Sequence, residues 1–549
     1  MDEQLCCLSK LVIKFLKKRT PKKRNVTVPS LPTECMQQVF QHIVDQGEGL
    51  YRLYPFLLVN RYWCKNVVPF LWARPFEDLK PENRYKIMLI YLSSLNDQEK
   101  SELNSSLKPY KITIPNLKPP LFDYPMLLEE LSYKNVEMTA HSCIYKWNSE
   151  AFKQKEKEEQ ILVLSTALCK LFLRKSTNLR TFIIDKFLGH SDIPDCSIFV
   201  YNQPGLRNIS SLSIDYTRPI MENTIRLLEA IPSICTSIRC LNIRIPFFES
   251  NPEVIQAVVE IIQSQTCLTE FSLEGVRSGE SKDIINALHQ SITLTIIKLE
   301  NVNITTTTLS TLSLCQNLQS LSILRCQGLT VEEITGAGSS NSNENLWNRM
   351  RFNLKILHLK SSPRFPAIPA SIIRSAGDFL QELSLDVITT ETVESITSRC
   401  PNILNLQLYN FLPQHNSLLG KLFQGLKHIK KLTISMHHRH MNRENMAISG
   451  RELPVSLEYL KLQCSFNNAQ LENLLRECRS PLKTLIIDFR KFEYLDLKVI
   501  TNFVKSKRTL KYLGIGGRIG WCAAEVKELE ILKQRYGVNL IPRPDVDRW

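Results

Sequence analysis

The sequence contains no H-E-x-x-H, no G-x-S-x-G and no Walker-type loop, which leaves out the common zinc-peptidase, serine-hydrolase and nucleotide-hydrolase layouts. It has 16 cysteines but no C-x-x-C pair, so neither a dense disulfide framework nor a paired zinc knuckle is encoded. Such thiols are expected to be reduced and to serve as small core residues. Long apolar runs are absent as well. The best candidate, Ile161 to Leu173, contains Lys170 and is too short to span a bilayer. The start Met1-Asp2-Glu3, followed by lysines, does not read as a secretory signal, so an intracellular chain without membrane contact is expected, cytoplasmic, nuclear or both. Two local features invite chemistry. Gly514-Ile515-Gly516-Gly517-Arg518-Ile519-Gly520 lacks the G-x-G-x-x-G spacing and is read as a turn. His437-His438-Arg439-His440 has no Cys or acidic partner at ligand spacing. No metal, no cofactor and no catalysis by this chain are expected.

What is present starts with length and charge. A chain of 549 residues, 43% hydrophobic and 22% charged, can bury a sizeable core. Its net charge is +15, and residues 1–30 hold eight Lys+Arg against two Asp+Glu. The remaining +9 is read as mostly solvated surface. Residues 1–28 read as a basic flexible arm whose run Lys17-Lys18-Arg19-Thr20-Pro21-Lys22-Lys23-Arg24 serves as a nuclear-import address, an anionic-surface contact or a solvated tail. Residues 29–76 are helical by pattern and aromatic-rich. Residues 77–160 mix helical runs with breaks such as Lys118-Pro119-Pro120 and read as a partly helical connector.

From about residue 179 the chain is periodic. The pattern L-x-x-L-x-L, with Ile or Phe substituting, recurs thirteen times, from Leu179-Phe182-Ile184 to Leu510-Leu513-Ile515, at intervals of 23 to 36 residues. The longest interval contains Gly336-Ala337-Gly338-Ser339-Ser340-Asn341-Ser342-Asn343, a loop composition. The last two apolar residues of each motif alternate, so both point to one face of a short strand. Helical runs such as Glu253 to Ile262 lie between motifs and can cover that face. One repeat cannot bury its own leucines, but a stack of them shares a continuous core. The expectation is an α/β leucine-rich-repeat solenoid, a horseshoe of about 13 degenerate repeats over residues 161–549.

The stretch Leu31-Pro32-Thr33-Glu34-Cys35-Met36-Gln37-Gln38-Val39-Phe40-Gln41-His42-Ile43-Val44 carries apolar residues at 31, 35, 36, 39, 40, 43 and 44, a broad helical stripe. Pro32 suits a first turn and Glu34 the positive end of the helix dipole. Downstream come Leu58-Val59-Asn60-Arg61-Tyr62-Trp63 and Leu71-Trp72. Together these residues resemble an F-box, over residues 29–76, with Cys35 and Met36 where larger aliphatics are usual. Cys315 to Leu329 and Cys400 to Leu408 resemble the cysteine-containing repeats found behind F-boxes. The chain as a whole is similar to F-box/leucine-rich-repeat proteins of the divergent fungal kind.

The resemblance implies a substrate receptor of an SCF (Skp–cullin–F-box) ubiquitin ligase. The F-box would bind a Skp-type adaptor, and through it a cullin–RING ligase, while the repeats bind a target protein on a concave face. The chain has no RING zinc framework of its own. By carry-over, the adaptor contacts are Leu31, Pro32, Glu34, Met36, Val39, Phe40 and Ile43, backed by Leu57 and Val59, with Trp63 and Trp72 as packing residues. On the repeats, the position after each motif points away from the leucines. Four of its first five members are Asp185, Asp215, Glu274 and Glu300, which reads either as an acidic groove for a basic target or as ordinary exposed strand ends. Two alternatives stand beside the receptor: an F-box scaffold without a ligase role, and a basic nuclear protein associated with nucleic acid.

Overall fold

All thirteen L-x-x-L-x-L motifs fold as strands in a computed structural model of the chain. The structure describes residues 31–45, 50–77, 79–115, 117–147, 154–187, 192–201, 204–215, 221–245, 251–275, 278–328, 350–360, 367–412, 415–436, 448–464, 467–488, 492, 494–516 and 520–541. The basic run at 17–24, the loop at 336–343 and the histidines at 437–440 lie outside them. The chain divides into two units, residues 1–268 and 269–549.

In the first unit, β1 (Glu130–Ser132), β2 (Thr181–Ile184), β3 (Ser211–Asp215) and β4 (Cys240–Arg244) pair in parallel and in sequence order. The ladder therefore begins inside the segment expected to be a connector. Its motif is Leu128-Glu129-Glu130-Leu131-Ser132-Tyr133, with a tyrosine in the last apolar place. Leu128, Leu131 and Tyr133 are buried like their counterparts in later repeats.

Ahead of β2 the α-helices of this unit are α1 (Thr33–Asp45), α2 (Arg61–Ala73), α3 (Pro81–Ser93), α4 (Asp97–Leu107), α5 (Tyr133–Trp147) and α6 (Gln154–Lys175), with 3-10 helices at Leu50–Leu58, Lys108–Tyr110 and Tyr124–Leu127. Tyr91 on α3 joins α2 and α6. Its ring lies edge-on to Trp72 (5.7 Å) and Phe172 (4.7 Å) and 6.0 Å from Phe76. An ion pair from Arg174 to Glu99 (2.7 Å) ties α6 to α4. The backbone closes the connection: Glu129 N–H donates to the Ala73 carbonyl at the end of α2, and the Glu129 carbonyl accepts from Arg180 and Thr181 at the start of β2. Residues 77–160 thus pack against the small helical group and the ladder alike.

The second unit repeats one geometry eleven times. Its strands are β5 (Glu270–Glu274), β6 (Ile296–Glu300), β7 (Ser320–Leu324), β8 (Ile356–Lys360), β9 (Glu382–Leu385), β10 (Asn405–Phe411), β11 (Lys431–Met436), β12 (Tyr459–Gln463), β13 (Thr484–Asp488), β14 (Tyr512–Gly516) and β15 (Asn539–Ile541). Each pairs in parallel with the next, leucine opposite leucine: Leu383, Leu406, Leu432, Leu460, Leu485 and Leu513 form one buried column. Gly514, Ile515 and Gly516, expected in a turn, are strand residues of β14, and residues 517–519 lie outside the described ones.

Returning helices start at polar caps. Thr305, Thr389 and Asn467 each accept from the backbone N–H three residues on, while Thr308, Thr392 and Gln470 reach back to the cap N–H. These reciprocal bonds satisfy two otherwise orphaned donors and set where strand gives way to helix. After β14 the helix Ala523–Tyr536 ends at Gly537, in the left-handed conformation (φ 69°), and β15 closes the ladder with Leu540 left 40% exposed.

A column residue and an outward neighbour should respond differently to truncation. Leu406→Ala, at a fully buried site, is expected to cost about 2–5 kcal/mol of unfolding free energy. Leu404→Ala, two residues away and partly exposed, should stay within about 0.5 kcal/mol in the same urea titration.

Candidate functional site

The N-terminal helical group is built around two residues of α1. Met36 and Phe40, four apart and therefore on one face, are buried with Leu53, Leu57, Cys64, Val67 and Val68. The Phe40 ring meets Phe56 (5.6 Å), Trp63 (5.8 Å) and Phe70 (6.0 Å), the last two edge-on. Asn60 caps α2 by accepting from Trp63 N–H (2.9 Å). Tyr62 then pins the start of α1, because its hydroxyl donates to the Leu31 carbonyl at 2.5 Å. The entry to α1 is held from α2 even though its side chains face outward.

The expected contact residues divide accordingly. Met36, Phe40 and Leu57 are buried in the core of the helical group. Ile43 is half-buried against the same core. Leu31 (53% exposed), Val39 (45%) and Val59 (49%) are open, as are Pro32 and Glu34. The reason lies in helical periodicity. A stripe spanning seven residues is wider than one contact face, so 36 and 40 turn in while 31, 35 and 39 form a second line facing out. Trp63 packs on Phe40 and Phe56, and Trp72 stacks on Tyr124 at 4.0 Å. The packing residues that sequence reasoning missed are Tyr62, Tyr91 and Tyr124, whose hydroxyls and rings have no periodic signature.

The strand-end carboxylates are largely engaged within the chain. In the first unit, Asp185 after β2 accepts from Ser132 Oγ (3.1 Å) and Lys134 N–H (3.0 Å), which locks the β1–α5 junction. Burial holds its carboxyl above the ordinary range in spite of those donors. Asp215 pairs with Arg244 at 3.3 Å. In the second unit, Glu274 lies in register with Glu300, and Glu300 is paired with Arg325 and with Lys298 at 3.6 Å. Asp185, Asp215 and Glu300 therefore have their charge answered from inside the chain, by basic residues or donors close to them in the ladder.

Among the described residues, no three His, Cys, Asp or Glu side chains group so as to hold a metal ion. Burial pushes the thiols of Cys169, Cys326 and Cys400 up to about 12, which keeps them protonated and poor as ligands or nucleophiles. No described helix is long and apolar enough to cross a membrane.

No family model matches the chain, and no curated protein does. Among solved structures it is similar to the leucine-rich-repeat-containing protein LegL7 from Legionella pneumophila, at 15% identity and a TM-score of 0.34, over 55% of this chain and 97% of that one. It is also similar to a chain in the yeast Rad7 and Elc1 complex, at 12% identity and a TM-score of 0.36, over 94% of this chain and 99% of the other.

Two measurements separate the structural roles at these sites. Phe40→Ala should destabilise the first unit by about 3–5 kcal/mol, read as loss of amide-exchange protection in α1 and α2. Asp185 carries the opposite sign from a stabilised carboxylate. Its folded-state pKa is raised, so the stability it contributes falls as pH rises through that value and stays lower at neutrality. Asp185→Asn keeps an acceptor for the Lys134 N–H, and its urea midpoint should gain on wild type as pH goes from about 4 to about 7.

Proposed function

We propose that the chain is a non-catalytic substrate receptor of an SCF-type ubiquitin ligase, in which residues 29–76 act as an F-box. One observation carries the reading: α1 has two apolar lines, one consumed by its own core and one left facing out. Cys35 and Val39 on α1, with Leu31 just before it, form the outward line, and Leu58 and Val59 are exposed on the same small helical group. A helix anchored by Met36 and Phe40 presents that line without needing it for folding. Burying an exposed Leu or Val contributes about 1.5–3 kcal/mol, and a few such anchors suffice for a stable contact. The partner fitting this line, with Pro32 and Glu34 at its end, is a Skp-type adaptor carrying a cullin–RING ligase. The repeats would then hold the target protein.

The test is co-purification with a recombinant Skp-type adaptor. The full chain should retain it, and Leu31→Asp with Val39→Asp should reduce retention by about tenfold or more while the thermal unfolding midpoint stays put. An adaptor that is not retained, or is retained equally by the double variant, would overturn the F-box reading. In that case the chain is a leucine-rich-repeat scaffold.

A further inference from the structure

Charge is unevenly distributed over the repeats. Residues 401–549 hold 24 Lys+Arg and 13 Asp+Glu, a net +11, whereas residues 31–400 carry a net −2. In the second unit, part of this excess gathers on one edge. Every helix-to-strand turn of a parallel ladder returns to the same edge. Backbone bonds place the residues just before β11 to β14 in a single row. Glu458 N–H donates to the Lys430 carbonyl (2.9 Å), Lys483 N–H to the Glu458 carbonyl (2.7 Å), and Lys511 N–H to the Lys483 carbonyl (2.8 Å). At about 4.8 Å per strand, the row spans roughly 14 Å.

Lys430, Lys483 and Lys511 are exposed, as are Lys427 and Arg508 in the same turns. The carboxylate within the row is Glu458. Lys483 Nζ lies 2.8 Å from it, and the hydrogen bond from Lys483, followed by the charges of Lys483 and Lys430, holds its carboxyl below the ordinary range. An exposed pair of this kind is weak and readily exchanged for another partner.

Two ordinary explanations for the row fall short. Basic residues in a helix's last turn answer the helix dipole, but these helices end at Gly425, Glu477 and Lys507, so Lys430, Lys483 and Lys511 lie beyond them. Solvation alone favours dispersed charge, whereas Lys483 and Lys511 stand on neighbouring strands and oppose the pairing that holds them together, with Glu458 between Lys483 and Lys430.

We infer that this edge, formed by the turns before β11 to β14, is a docking surface for an acidic polypeptide segment. Lysine is a point charge on a flexible stem, suited to carboxylates whose spacing does not match that of the strands. Base-reading or strand-binding surfaces combine basic grooves with aromatic platforms, and beside this row the exposed aromatic is Tyr512. An extended acidic segment crossing the strand ends would present a carboxylate toward the row about every 7 Å. The inference stands apart from the adaptor reading, since the two surfaces share no residue and are assayed with different partners.

Fluorescence anisotropy of the full chain with a labelled Glu/Ser peptide of about 20 residues, at about 50 mM salt, tests this inference. The triple variant Lys430→Glu, Lys483→Glu, Lys511→Glu should weaken peptide binding by about tenfold or more. A control triple, Lys282→Glu, Lys421→Glu, Lys527→Glu, alters net charge equally at exposed helix positions and should stay within about twofold. The corresponding Lys→Gln triple on the row carries the same test with a smaller loss, should charge reversal disturb folding. Absence of peptide binding, or an equal loss in the control, overturns the inference. A single-stranded oligodeoxynucleotide that binds with greater dependence on the row than the peptide does overturns it too, and assigns the edge to nucleic acid.

Discussion

A leucine in this array is buried by the repeats on either side of it, and the rest of the structure depends on that constraint. The strands are three to seven residues long and would be marginal alone, yet the inward side chains of β2 to β14 are almost completely excluded from water. Stacking is therefore both the source of stability and the source of register. It also dictates that the ladder cannot simply stop. In the first unit β1 takes its buried residues from Leu128, Leu131 and Tyr133, and in the second β15 pairs with the last motif while its Leu540, opposite Leu513, is left 40% exposed. Terminal repeats are atypical because one of their faces has no neighbour to satisfy.

The same constraint explains what could be read in advance. Thirteen motifs with period-two alternation could be matched to strands because each leucine answers to the same local rule. Tyr133 broke the pattern, and the first strand was hidden with it. The helical group was legible as a unit through its broad apolar stripe, but the division of that stripe was not. Whether Met36 or Val39 turns inward depends on where Phe56, Trp63 and Phe70 stand, and those positions are set by the 3-10 helix and α2 together. Periodicity in one helix reports how wide a face is, not how it is shared between a core and a partner.

Charge was harder to read than apolarity for a related reason. Asp185, Asp215 and Glu300 fall at equivalent strand ends, so the residue types alone suggest a common acidic surface. Their partners come from non-equivalent places: Ser132 and Lys134 beside β1, Arg244 one repeat on, and Arg325 at the end of β7. A carboxylate's availability is a property of its neighbours across the ladder, which a single strand's sequence does not contain.

The basic row shows the converse case. Lys430, Lys483 and Lys511 come from three separate turns, and only the parallel register sets them in one row, Lys483 beside Lys511 and Lys430 across Glu458. Apolar residues brought together in this way gain stability from one another, so their convergence needs no further cause. Cations brought together lose it, and the ladder offers them Glu458 as the carboxylate in the row. A repeat architecture that gathers leucines on one face for stability will, by the same translation, gather whatever the turn positions carry. When those positions carry like charge beyond the reach of the helix dipole, the compensating charge has to come from solvent ions or from another chain. An acidic segment supplies several such charges on one connected backbone, and so loses less freedom on binding than separate ions would.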